Sequence, residues 1–162
     1  MGYLRASLVV QCVLAAYFQA IVWFPLGAFN DQPGKRLIEV VRSGEAPLAA
    51  FIFAFVMLLP VLLFGLAYWR RWAWLMWVGV AGYGAWAGLQ IQSWWVPYIF
   101  GADARALHNQ KALERTTKIL PSFPNHPAPD AMHFVLEVLL FAAVALTLVG
   151  LLRLGPRAPS PA

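Results

Sequence analysis

The stretch that decides the fold is Ala131-Met-His-Phe-Val-Leu-Glu-Val-Leu-Leu-Phe-Ala-Ala-Val-Ala-Leu-Thr-Leu-Val-Gly-Leu-Leu152. A helix needs about 20 apolar residues to cross the hydrocarbon core of a bilayer, and this run is long enough. Glu137 interrupts it and is the only acidic residue in any apolar run of that length in the chain. Because a carboxylate in hydrocarbon is energetically costly, such a residue is by default a candidate for a functional site.

The composition indicates that lipid is the solvent of this chain. Hydrophobic residues make up 61% of the sequence and charged residues 12%, whereas a soluble domain is about half apolar and about a quarter charged. The formal net charge is +5, but the basic residues lie at the ends of apolar runs, which excludes nucleic acid as a partner. Arginine outnumbers lysine and alanine is common, which favours a bacterial origin and hence the plasma (inner) membrane.

Four apolar runs are long enough to span a membrane, namely residues 6–28, 47–69, 72–100 and 131–152. The sequence therefore predicts an all-α integral membrane protein, because helices satisfy their own backbone groups in lipid. One domain over residues 1–154 is predicted to form an antiparallel bundle of four transmembrane helices. The proline-rich segment 155–162 is predicted to be a disordered tail.

The basic residues predict the orientation of the bundle. Four spans place both termini and the short second loop on one side of the membrane. The cations on that side, which no acid accompanies, are Arg5, Arg70, Arg71, Arg153 and Arg157. The other side holds seven basic and six acidic residues. Because short unopposed basic segments favour the cytoplasm, we expect both termini to be cytoplasmic.

The outer loop before the fourth span has two parts. Asp103 is suited to cap a short helix over residues 104–119. Segment 120–130 contains four prolines, which exclude a helix and predict a stiff, extended strap. Asp130 ends the strap and is expected to cap the fourth span.

The third span is predicted to pack closely against its neighbours through small residues. Lipid supplies no hydrophobic drive between helices, so close contact depends on side chains that let two backbones approach. The glycines of this span are Gly79, Gly82, Gly84 and Gly88, and the last two form a small-xxx-small pattern.

Polar side chains from three spans lie at one depth, on the side of the longer loops. His133 is one helical turn before Glu137 and shares its face, so it is an expected partner, as is a glutamine of another helix. We expect these residues to form a polar pocket that opens to the outside. The predicted lining is Gln19, Gln90, Gln92, His133 and Glu137, and the predicted rim is Trp23, Trp94 and Trp95.

Three functions fit this pattern. The leading hypothesis is binding of a small or lipid-like molecule in the outer-leaflet pocket. The second is a membrane enzyme in which Glu137 and His133 act as proton donor and acceptor. The third is an accessory or structural subunit, or a homo-oligomer, in which the same pair pins the helices together. A nitrogen and an oxygen are too few ligands for a metal, so no metal site and no cofactor is predicted.

Overall fold

The structure is a computed structural model that describes residues 2–24, 26–31, 55, 58–111 and 113–154. For residues 109 and 110 it describes the backbone only. Over these residues the chain is helical, with two isolated backbone bridges and no strand. The α-helices are α1 (Gly2–Trp23), α2 (Leu58–Arg70), α3 (Ala73–Gln90), α4 (Val96–Phe100), α5 (Ala104–Lys111) and α6 (Ala131–Leu152).

Two helices, α1 and α6, are long and apolar enough to cross a membrane. Helix α6 begins and ends where the fourth run was predicted, whereas α1 begins earlier than residue 6 and ends at Trp23 rather than at residue 28. The Asn30 side chain explains that end, because its Nδ2 donates to the carbonyls of Ile21 and Phe24, both at 2.8 Å. These carbonyls lack a partner within the helix, so the side chain terminates α1.

Helices α2 to α4 cover the described parts of the second and third predicted runs. Helix α2 is a shorter apolar helix of 13 residues, and residues 47–54, 56 and 57 of the predicted second run lie outside the described residues. Helices α3 and α4 continue into each other through a π-helical turn at Ile91–Trp95, so the third run is helical over 73–100. The first loop from residue 32 and the tail 155–162 also lie outside the described residues.

Helix α6 is the centre of the bundle because it packs along both α1 and α3. One apolar cluster joins α1 and α3 to the first half of α6 and comprises Leu14, Ala15, Phe18, Tyr83, Ala87, Leu136 and Leu140. A second cluster joins the opposite end and adds α2; it comprises Leu4, Phe64, Ala67, Met76 and Leu151. The remaining faces carry exposed apolar side chains, for example Leu62 and Trp74, which are 69% and 63% exposed.

Among the described residues, a close helix contact is made at Gly150 and not at the glycines of α3. A Cβ atom on Gly150 would lie 2.5 Å from Leu4 Cδ2, 2.7 Å from its Cγ and 3.3 Å from its backbone nitrogen. At each of the four glycines of α3, an added Cβ would meet nothing within 4 Å. Among the described residues, the predicted packing through Gly84 and Gly88 is therefore not formed.

The outer loop differs from its prediction in two ways. Asp103 caps α5 as expected, since its Oδ1 accepts from the Ala106 amide at 2.7 Å, but α5 ends at Lys111 and does not reach residue 119. Thr116 and Lys118 explain this, because their side chains both donate to the Leu113 carbonyl, which a continuing helix would use. The proline-rich segment closes into a loop, since the Ile119 amide donates to the Pro129 carbonyl at 3.1 Å.

We expect Gly150→Ala to destabilise the bundle by about 1–3 kcal/mol, because the new methyl group would push α1 away from α6. The thermal unfolding midpoint of the purified protein in detergent measures this effect. The matched control is Gly84→Ala, which adds the same methyl group into open space and should leave the midpoint unchanged or slightly higher. Equal midpoints for the two variants would show that α1 and α6 do not meet at Gly150.

Candidate functional site

Glu137 is buried in the bundle and is bound to Trp95. Its side chain is 3% exposed, and its Oε2 accepts from Trp95 Nε1 at 2.6 Å. Its other carboxyl oxygen, Oε1, is buried and has no hydrogen-bond partner among the described residues. The sequence predicted His133 or a glutamine as the hydrogen-bond partner of Glu137, whereas the structure has Trp95 as the donor.

The π-helical turn brings Trp95 to Glu137. Pro97 follows the turn; it has no amide hydrogen and its ring crowds the carbonyl four residues before it, which disrupts the regular α-helical pattern. The neighbouring Val96 amide instead donates to the Ile91 carbonyl, one residue further back than in an α-helix. Such an insertion rotates the side chains around it, and the Trp95 indole lies against α6, with its ring 6.5 Å from that of Phe134.

His133 is bound to Asp130 at the start of α6. The Asp130 side chain is fully buried, and its Oδ1 accepts from the His133 amide at 2.8 Å, which caps the helix as predicted. The His133 ring nitrogen Nδ1 lies 2.9 Å from Asp130 Oδ2. The two acids therefore have separate partners: Asp130 holds His133, and Glu137 holds Trp95.

Lys118 also lies near Asp130, since a backbone bridge joins the two residues. Burial lowers the pKa of the Lys118 ammonium, whereas the charges of Asp130 and Glu114 act in the opposite direction. Its Nζ donates to the Leu113 carbonyl at 2.8 Å and to Thr116 Oγ1 at 3.2 Å. The start of α6 is thus a polar junction in which a buried carboxylate binds a histidine and its charge acts on a nearby amine.

Two of the three predicted glutamines are bound to tryptophans four residues further along the chain. Gln90 Oε1 accepts from Trp94 Nε1 at 2.6 Å, and Gln19 Oε1 accepts from Trp23 Nε1 at 2.8 Å. The side chain of Gln92 is exposed.

Four of the eight predicted pocket residues form two contacting pairs between the π-helical turn and α6. The Trp94 ring lies against that of His133, with 4.0 Å between the centroids, and Trp95 holds Glu137. We call Trp94, Trp95, His133 and Glu137 the outer cluster. A further link was not predicted from the sequence: the Tyr17 hydroxyl donates to the Met132 carbonyl at 2.6 Å, which fixes α1 to the start of α6.

A second polar cluster lies further from the start of α6, and we call it the inner cluster: Ser7, Gln11, Tyr83 and Thr147. The Ser7 and Thr147 hydroxyls are hydrogen-bonded to each other, and Gln11 Nε2 donates to Ser7 Oγ at 3.1 Å. The Tyr83 hydroxyl donates to Gln11 Oε1 at 3.2 Å. Sequence analysis missed this cluster, although the i, i+4 spacing of Ser7 and Gln11 on one face and the depth of Thr147 both point to it.

A cavity of about 380 Å³ lies between α2 and α3 and reaches the inner cluster. Its walls are apolar side chains of both helices together with Gly79 and Gly82, and its polar lining consists of Gln11 and Tyr83. Because an added Cβ on either glycine would meet nothing within 4 Å, the missing side chains of these residues leave the space open.

The described residues contain no group of three or more His, Cys, Asp or Glu side chains that could hold a metal ion. His126 Nδ1 lies 2.8 Å from the Tyr98 carbonyl in α4. Comparison of the chain with protein-family models, curated proteins and solved structures gave no match.

We expect Glu137→Gln to keep most of the stability and Glu137→Leu to lose about 1–3 kcal/mol. Glutamine retains an oxygen that accepts from Trp95, whereas leucine leaves that buried donor unpaired. Thermal unfolding of both variants in detergent measures the difference. The control is Trp95→Phe combined with Glu137→Leu, in which the loss should be smaller than the sum of the single losses. Equal midpoints for the two Glu137 variants would show that the Trp95 bond does not stabilise the bundle.

Proposed function

We propose that this chain is a four-span membrane protein that binds a small, largely apolar molecule in the cavity between α2 and α3. The observation that carries the proposal is the cavity itself. Small-molecule sites are concave, mostly apolar and about 300–1,000 Å³ in volume, with a few polar groups that orient the ligand. The 380 Å³ cavity, with Gln11 and Tyr83 as its polar lining, meets each of these conditions.

The exposed side chains support the membrane part of the proposal. Apolar residues are exposed along the helices, including Val9 on α1, Leu62 on α2, Val78 on α3 and Phe141 on α6. Contiguous apolar patches of this kind are rare on soluble monomers and indicate contact with lipid or with another protein. Helices α3 and α4 together with their π-helical turn cover 28 residues from 73 to 100, which exceeds the roughly 20 that a span needs.

The inner cluster supports the choice of ligand. The Tyr83 hydroxyl gives its proton to Gln11 Oε1, so its oxygen can still accept a hydrogen bond. An amide nitrogen carries two protons, and Gln11 gives one of them to Ser7. A ligand hydroxyl group could therefore donate to the Tyr83 oxygen, whereas Gln11 is fully buried and orients the tyrosine by accepting its proton. The ligand class is an apolar, lipid-like molecule that carries one such group.

The proposed ligand site differs from the predicted outer pocket. In the outer cluster, Trp95 and Trp94 of the π-helical turn contact Glu137 and His133 of α6, so these residues join two helices. We propose that the outer cluster fixes α6 against the third span, and that the cavity, bounded by α2 and α3, receives the ligand. This assignment keeps the binding hypothesis and gives the acid a structural role.

A cavity-filling variant tests the ligand site. We expect wild-type protein in detergent to be labelled by a photoactivatable long-chain alcohol at cavity residues such as Leu63 and Val78. Gly79→Leu should abolish this labelling, because Gly79 lines the cavity and the Cβ of the new side chain would lie in open space there. The measurement is peptide mapping of the cross-links by mass spectrometry.

The matched control for this experiment is Gly84→Leu, which lies on the same helix, does not line the cavity and also has open space around it. It should be labelled like the wild type. Unchanged labelling of Gly79→Leu, or wild-type labelling spread evenly over all apolar faces, would rule out the cavity as a binding site.

Cysteine labelling tests the proposed topology, in which both termini are cytoplasmic and the long loops are outside. In a Cys12→Ala background, Glu114→Cys should react with a membrane-impermeant maleimide in intact cells, because Glu114 is exposed in the outer loop. Arg5→Cys is the control and should react only after lysis. The opposite pattern would place the long loops in the cytoplasm.

A further inference from the structure

The end of the bundle opposite the outer cluster contains a cleft with an unusual turn beside it. The cleft has a volume of about 210 Å³ and lies between the start of α1, the turn from α2 to α3, and the end of α6. Its charged lining residues are Arg5 and Arg71, and its remaining lining is Leu4, Tyr68, Trp69, Met76 and Leu154. We call it the arginine cleft.

Arg71 adopts a backbone conformation that normally belongs to glycine. The turn that ends α2 is a Schellman motif, in which the Trp72 amide donates to the Ala67 carbonyl at 2.9 Å and the Arg71 amide to the Tyr68 carbonyl at 3.4 Å. The residue at the Arg71 position of this motif is left-handed and is usually glycine. Arg71 has a φ of 54°, so the chain accepts backbone strain at this position.

The strain places a guanidinium beside the cleft. A residue held in a sparsely populated conformation calls for a functional explanation when a less strained residue would serve the turn equally well. Glycine would make the same turn without strain, but it would remove the charge that Arg71 contributes to the arginine cleft. We infer that the side chain, and not the turn, is the reason for arginine at this position.

Arg5 completes a site for an anion. Its Nε donates to the Tyr68 hydroxyl at 3.2 Å, which orients the guanidinium at the cleft. The terminal amino groups of a guanidinium are the groups that form paired hydrogen bonds with phosphate oxygens.

The cleft also has the lining that a lipid headgroup needs. Leu4, Met76 and Leu154 supply apolar surface next to the two arginines, and Trp69 and Trp72 at the same turn are exposed, as is typical of residues at the headgroup level. Basic pockets between transmembrane helices bind anionic headgroups. We propose that the arginine cleft binds the phosphate group of an anionic phospholipid.

The test is native mass spectrometry of the full chain in detergent with added dioleoylphosphatidylglycerol, and separately with dioleoylphosphatidylcholine. The wild type should retain the anionic lipid in preference to the zwitterionic one. Arg71→Gly should reduce this preference about tenfold, because the pairing of two guanidinium groups with one phosphate is lost. Its thermal midpoint should be unchanged or higher, since glycine relieves the left-handed strain.

Arg153→Gln is the matched control, because it removes one positive charge at the same end of the bundle from a residue that does not line the cleft. It should retain the lipid preference of the wild type. Equal retention by wild type and Arg71→Gly would overturn the proposal. An equal loss in both variants, or a lower thermal midpoint for Arg71→Gly, would also overturn it, because Arg71 would then act through general charge or through folding.

A second arm distinguishes the source of the phosphate. Glycerol 1-phosphate offers the same group without the acyl chains, and we expect it neither to bind nor to displace the phosphatidylglycerol. Displacement that is lost in Arg71→Gly would overturn the assignment to a lipid and make a soluble phosphate ester the ligand. Arg71→Gly should leave the photolabelling of the cavity between α2 and α3 unchanged, so this proposal and the cavity proposal can fail independently.

Discussion

The arrangement of the helices depends on the hydrogen bonds that their buried polar side chains form with one another. A polar group removed from water without a hydrogen bond is costly, and in a low dielectric that cost rises further. Trp95 meets Glu137 at one end of α6, and Ser7 meets Thr147 at the other. These two bonds join α6 to the π-helical turn after α3 and to α1, so satisfying the polar groups also fixes which helices are neighbours.

In the outer cluster, a tryptophan donates the hydrogen bond to Glu137 for which the sequence suggested a histidine or a glutamine. An indole donates one hydrogen bond and is apolar elsewhere, so it can reach a buried carboxyl oxygen without bringing a second charge into the bundle. Pro97 is the local cause, because the π-helical turn before it directs Trp95 toward α6. His133, by contrast, is held at the start of its own helix by Asp130, which serves both as a cap and as the partner of the ring.

Small residues have two different roles in this bundle. Gly150 allows α1 to lie against α6, since a side chain there would overlap Leu4. The glycines of α3 do the opposite, because they leave space that no neighbouring atom fills, and two of them line the cavity. The same residue type therefore brings one pair of helices together and keeps a space open between another pair.

The sequence alone determined the elements whose signals are local. Hydrophobic run lengths predicted α6 to the residue and the helical third run, and the residue types at helix starts predicted the Asp103 and Asp130 caps. The early end of α1 was not predicted, because it depends on the Asn30 side chain folding back onto carbonyls up to nine residues before it.

Only the tertiary structure decided which polar groups meet. A helix that is apolar on all sides has no amphipathic stripe to fix its rotation, so the sequence gives the depth of Glu137, Gln11 or Tyr83 but not the direction in which each one points. The π-helical turn adds a further rotation after Gln90. For these physical reasons, the partner of Glu137, the inner cluster and the cavity beside it follow from how the helices pack, whereas the helices themselves follow from the sequence.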